Sequence, residues 1–185
     1  SDPDTHVTPW SVDLRACRCA AAVIRCRMSD PQHTTSPSPA PAAAATATSS
    51  SVTSAVEAFR KGQLTLVTDA TRPERGAIVT VAASRIPDDV INFMATHGRG
   101  LTCVAIAPDR FDRLGLNLQG PPVGLDRENF TVTVEAREGV STGISASDRA
   151  QTIRVLADRR TRPEDIVTPG HVHPAVSADG GVVVR

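Results

Sequence analysis

Phe130-Thr131-Val132-Thr133-Val134-Glu135-Ala136, followed by Gly139-Val140-Ser141-Thr142-Gly143-Ile144-Ser145-Ala146-Ser147-Asp148-Arg149-Ala150-Gln151-Thr152, decides the fold. The first run alternates apolar and polar residues and is rich in β-branched types, so it predicts a strand. In the second, Ile153, Val155 and Leu156 continue on roughly one face, which predicts a helix. Ser145 stands at the N-cap position with Asp148 three residues on, the spacing of a capping box. The unit is a strand, a Gly-punctuated turn and a capped helix. Such a turn can present N–H groups and hydroxyls to an anion such as a sugar phosphate. An ordinary strand-to-helix connection has the same pattern.

The remaining chain interleaves helices and strands from Ser51 onward. Val52, Ala55, Val56 and Phe59 recur at helical spacing, and Gly62 suits the position after the helix end. Residues 64–68 and 77–82 predict strands. Pro87 opens a helix through Val90, Ile91, Phe93 and Met94 that closes near His97-Gly98. Residues 101–106 predict a strand and 108–114 a short helix stopped by Gly115. Gly120, Pro121, Pro122 and Gly124 mark a loop. Residues 162–165 predict a turn, and Val182-Val183-Val184 a last strand fragment. The expected class is α/β of the α+β type, a mixed β-sheet flanked by helices.

The 185 residues, 40% hydrophobic and 22% charged, allow one modest domain. Aromatics are 3% and Tyr is absent, so the core must be aliphatic. Twenty basic residues balance 20 acidic ones, which argues against broad nucleic-acid binding. No apolar run is long enough to span a membrane, and Ala20 to Ile24 is too short for a secretory h-region, so a cytoplasmic protein is expected. Residues 1–50 are expected to form a disordered extension or linker, because residues 31–51 are mostly Pro, Ala, Ser and Thr. Cys17, Cys19 and Cys26 fall in that segment without a fourth ligand at metal-site spacing. Residues 51–185 are the expected folded domain.

Three separated motifs carry a family resemblance. They are His97-Gly98-Arg99-Gly100-Leu101-Thr102-Cys103, the 139–152 turn, and Pro169-Gly170-His171-Val172-His173-Pro174. In their order and spacing, from about residue 52 to 185, the chain resembles 3,4-dihydroxy-2-butanone 4-phosphate synthase. That family of lyases serves riboflavin biosynthesis and splits ribulose 5-phosphate into a four-carbon phosphate and formate. The resemblance implies a mixed sheet flanked by helices and a homodimer with sites at the interface. It also implies magnesium, which stabilises enolate charge through hard carboxylate ligands.

The resemblance assigns catalytic roles to His171, Cys103 and Asp69. It assigns substrate binding to Arg72 and Arg185, with Ser141 and Thr142 lying in the shared turn. The family's acidic loop has the form D-x-E-D-R-E-N-E-G-D. Here Asp69-Ala70-Thr71-Arg72-Pro73-Glu74-Arg75-Gly76-Ala77 stands in its place. Asp69, Arg72 and Gly76 match. Pro73 takes the metal-binding Glu position and Ala77 that of a substrate-binding Asp. Glu74 enters the metal position only by a one-residue slip, and Pro73 restricts the backbone before it. The family continues past the position of Arg185 into a G-H-T-E motif with a second metal ligand, and this sequence stops there. Magnesium is therefore expected to bind weakly or not at all. Either the chain keeps synthase activity with substituted ligands, or it is an inactive homologue or fragment that binds a sugar phosphate or a protein.

Overall fold

The computed structural model describes residues 21–26, 52–68, 77–98, 100–120 and 129–177. Its strands are β1 (Ala21–Cys26), β2 (Thr65–Thr68), β3 (Ala77–Ala82), β4 (Thr102–Ile106), β5 (Asn129–Phe130), β6 (Val134–Ala136) and β7 (Ile166–Val176). Its α-helices are α1 (Val52–Arg60), α2 (Asp88–Phe93), α3 (Pro108–Arg113) and α4 (Ala146–Ala157). Helix α2 runs on into a π-helical turn, Met94–Gly98.

The strands form one mixed sheet in the order β2-β3-β1-β4-β7-β5, with β6 paired to β7. β1 is antiparallel to both β3 and β4, and β4 is parallel to β7. Helices α2 and α4 pack on each other, and α4 also packs on β6 and β7. The core is aliphatic, as the composition requires. Val81, Ile86, Ile91, Met94, Val104, Ile153 and Val172 lie in it with almost no exposed surface. This mixed sheet with helices is the class expected from the sequence.

Local signals survive well. Gly62 and Gly115 hold φ of 75° and 62° just past the helices they end. Pro87 is the N-cap of α2. Ser145 is the N-cap of α4, and its side chain accepts from the Asp148 amide at 3.0 Å.

Three features depart from expectation. The first is β1. Composition predicts no folded element in residues 1–50, yet Ala21–Cys26 is an interior strand. Val23 and Ile24 suit a strand, but the partners that recruit them lie far away in sequence. Cys17, Cys19 and the 27–51 linker lie outside the described residues, as do residues 182–184.

The second is the run 130–136, which splits into β5 and β6. Between them the Thr131 amide bonds to the Pro174 carbonyl and the Val132 amide to that of Asn117, both at 2.9 Å. The chain changes partner there. The third is β7, which covers a motif that no strand signal marks. Pro169, Gly170 and Pro174 are poor strand residues locally, and the pairing comes from β4, β5 and β6.

Candidate active site

Strand β7 carries the central residue. Its C-terminal half pairs with β4 and β5, whereas its N-terminal half pairs with β6. The β6 register jumps from Val134↔Val172 to Glu135↔Val167. Residues 168–171 are the extra length in that irregularity, and they bring His171 beside Glu135. The Nδ1 of His171 contacts the Glu135 carboxylate Oε1 in a short hydrogen bond. The His171 side chain is 44% exposed and that of Glu135 16%. One ring nitrogen is thus anchored inside and the ring itself faces outward.

The Gly-punctuated turn supports this pair from beneath. Gly143 has φ +77° and lies directly against the Glu135 carboxylate. A Cβ there would overlap Oε1 and stand 2.8 Å from Oε2. Glycine is needed for the backbone conformation and for the close approach.

The turn's own donors are already used. The Asp148 carboxylate accepts from the amides of Ser141 (3.1 Å), Thr142 (3.1 Å) and Gly143 (2.9 Å), and from the Ser141 hydroxyl (2.9 Å). The internal carboxylate takes the place that an external anion would need. The capping box is correspondingly one-sided. Ser145 accepts from the Asp148 amide, but the Asp148 side chain turns to residues 141–143. Of the two hydroxyl residues expected to bind substrate, Ser141 gives its hydroxyl to Asp148, and Thr142 is exposed at the surface.

Burial is the largest single influence on the Asp148 carboxyl and disfavours its charge. Hydrogen bonds from Ser141, Gly143 and Ser145 together outweigh it, so the pKa lies below its ordinary 3.8. The sign of the pH dependence follows. A depressed carboxyl contributes its full stability above the unfolded value, and that contribution drains as pH falls through the folded one. Thermal melts of the parent and Asp148→Asn should therefore differ most at about pH 6 and converge as pH falls through the folded-state pKa. Equal melting temperatures at about pH 6 would mean that the carboxylate does not hold the turn.

Cys103 lies on β4 opposite His173 on β7. Strand alternation puts Cys103, His171 and His173 on the face opposite the core residues Val104 and Val172. The Cys103 thiol is buried and donates to the Leu101 carbonyl at 3.5 Å. Desolvation, foremost, lowers the His173 pKa, with Arg149 and His171 adding to the effect and the Thr102 backbone opposing it. His173 is thus held neutral.

The structure therefore brings His171, Cys103 and the Ser141–Thr142 turn to neighbouring elements. Asp69, Arg72, Glu74 and Arg185 lie outside the described residues. Among the described residues no cluster of three or more His, Cys, Asp or Glu could hold a metal ion. The two carboxylates nearest this arrangement, Glu135 and Asp148, are engaged by His171 and by the turn. The described residues alone do not fit a magnesium site. Carboxylates for a cation would have to come from outside the described residues.

Glu135 is the residue that sequence patterning missed. It occupies the polar position of an alternating Val-Glu-Ala strand, where a solvated side chain is the ordinary outcome. Its partner, His171, is distant in sequence, and only the Gly-rich turn packed against it hinted at a close approach.

Comparison with known proteins converges on one family. Residues 53–185 match the family described as DHBP_synthase, 3,4-dihydroxy-2-butanone 4-phosphate synthase. The chain is 38% identical over 137 residues to the 3,4-dihydroxy-2-butanone 4-phosphate synthase of Neisseria meningitidis serogroup B, covering 74% of this chain and 38% of that protein. It is 43% identical over 142 residues to the synthase of Wolinella succinogenes, covering 72% and 39%. The chain thus spans roughly two-fifths of the length of these curated relatives. Among solved structures, a 3,4-dihydroxy-2-butanone 4-phosphate synthase in complex with two magnesium ions superposes with a TM-score of 0.66 at 33% identity, covering 72% of this chain and 63% of that one. A two-domain synthase from A. baumannii gives 0.66 at 34% identity, covering 72% and 39%. No described helix is long and apolar enough to cross a membrane. With its matched segment, its mixed sheet and the turn–Glu135–His171 arrangement, the chain belongs to the 3,4-dihydroxy-2-butanone 4-phosphate synthase family.

Proposed function

We propose that the chain binds ribulose 5-phosphate, or a similar sugar phosphate, in a site with the proton-transfer half of the synthase and a defective metal half. The observation that carries this is the Glu135–His171 pair. With Nδ1 held by the carboxylate, Nε2 is the nitrogen left to exchange a proton with a substrate next to its carbonyl. Magnesium, when bound, supplies charge stabilisation at the substrate oxygens in this chemistry. Pro73 and Ala77 stand where the acidic loop needs carboxylates, so turnover is slow or absent.

In this proposal Asp69 and Arg72 reach the site from the 69–76 loop, and Arg185 and Thr142 add substrate contacts. Cys103 lines its floor. Glu74 serves as a replacement ligand only through a one-residue slip of the loop register. Residues 51–185 form the family domain, it works as a homodimer, and its location is cytoplasmic.

The turn's amides are engaged by Asp148, so the phosphate must be held by side chains, Arg72 foremost. Ribulose 5-phosphate is expected to bind with an affinity on the order of millimolar, about 4 kcal/mol. Arg72→Ala should weaken it by roughly 1–3 kcal/mol through loss of a charged hydrogen bond. NMR titration is the measurement, with the His171 ring as reporter and ribulose as the control that lacks phosphate. Equal shifts with the free sugar would refute the site. Formate release from ribulose 5-phosphate with added magnesium tests turnover. Rapid release that Glu74→Gln abolishes would show that the slipped loop restores a working synthase.

A further inference from the structure

Among the described strands, one comes from outside the family-matched residues. The match begins at residue 53, and β1 is Ala21–Cys26. β1 does not lie at an edge. In the order β2-β3-β1-β4-β7-β5 it is the only described strand joining β2 and β3 to β4, β5, β6 and β7. Six residue pairs link it to β3, from Ala21↔Ala82 to Cys26↔Ala77. Four link it to β4, from Ala21↔Ala105 to Ile24↔Thr102.

Because β1 is antiparallel to both neighbours, β3 and β4 run parallel, two strand spacings or about 9.5 Å apart. The β3–α2–β4 crossover leaves an open lane between them. Without an occupant, β3 and β4 would each present unpaired N–H and C=O groups beside the buried Val81 and Val104. Cys26 lies opposite Ala77. Cys103 lies opposite Val23. Both contacts fall toward the same end of the sheet, where β3 and β4 begin.

We propose that the lane between β3 and β4 is a strand-acceptor site filled by the chain's own Ala21–Cys26, and that this strand ties the β2–β3 half of the sheet to the half that carries Cys103 and His171. Its hydrogen bonds are main-chain bonds, so the lane accepts an extended segment by strand addition, with register set by the neighbours. The inference rests on sheet topology and not on the proposed substrate, so either can fail without the other.

Hydrogen–deuterium exchange on the full chain tests it directly. Amides of residues 22–26 should exchange more than about 100-fold slower than those of an unstructured peptide, in step with β3 and β4. Peptide-like exchange at 22–26 alongside protected β3 and β4 would overturn the proposal. A full-chain Val23→Pro variant removes an interior donor and should release protection in Ile78–Val81 and Thr102–Ala105. Peptide-resolved alkylation should then label Cys103 about tenfold faster or more, as local opening of β4 becomes easier. Ala43→Pro, in the linker, should change neither readout. Protection of β3 and β4 unchanged by Val23→Pro would equally overturn the assignment. If that variant unfolds entirely, the exchange pattern of the unaltered chain still decides.

Discussion

Gly170→Ala is expected to lower the unfolding free energy by about 3–5 kcal/mol, because the overlap it creates is with backbone. A Cβ at Gly170 would overlap the Val134 carbonyl group and stand 2.5 Å from the Glu135 amide nitrogen. Carbon contacts settle at about 3.5–4.0 Å, so β7 would have to retreat from β6. That retreat breaks the Val134↔Val172 pair, whose side chains are both fully buried. It also breaks the bond from the Gly170 amide to the Thr133 hydroxyl, 3.1 Å long. His171 is the next residue, so its ring should lose Glu135 in the same event. Urea denaturation measures the stability loss, with Gly120→Ala as control. A Cβ at Gly120 would meet nothing within 4 Å, and that substitution should stay within about 0.5 kcal/mol. A Gly170→Ala protein within about 1 kcal/mol of the parent would show that the two strands do not approach this closely.

Arg110→Met should cost about 2–4 kcal/mol by orphaning the carbonyls that end α4. Arg110 projects from α3, and only 9% of its surface is exposed. Its guanidinium donates to the carbonyls of Leu156 (3.3 and 3.2 Å), Arg159 (3.3 Å) and Thr161 (3.4 Å), and closely to that of Asp158. The charge thus sits at the negative end of the helix dipole. Burial, then the like charge of Arg113, pulls its pKa below the usual arginine value, against Asp158 and Asp109. Methionine keeps much of the apolar stem and removes every donor. Arg110→Lys should recover only part of the loss, since one ammonium cannot reach carbonyls spread along that turn. Equilibrium unfolding compares the three proteins. Equal stability of the Met variant would mean that water satisfies those carbonyls equally well.

The sequence by itself determined the elements whose causes are local. Ser145 caps α4 because its hydroxyl is next to the amide it serves. Gly62 and Gly115 follow helix ends because their backbone conformation disfavours a side chain. Strand-like runs at residues 77–82 and 101–106 marked β3 and β4, and the scarcity of aromatics required an aliphatic core. Three motifs in order sufficed for the family, and they led to His171.

Tertiary structure alone decided the rest, because the groups involved meet across long separations in sequence. Glu135 and His171 are 36 residues apart, and no spacing rule connects a strand carboxylate to a ring beside a β-irregularity. Arg110 is 46 residues from Leu156, so its role as a helix cap is invisible from α3. The turn shows the limit even at short range. Its glycines and hydroxyls suggested an anion site, but the Asp148 carboxylate already occupies those donors. β1 is the extreme case. Its six residues, Ala-Ala-Val-Ile-Arg-Cys, have weak strand character of their own. They become a strand because β3 and β4 leave a lane whose open hydrogen-bonding groups only another extended backbone can satisfy.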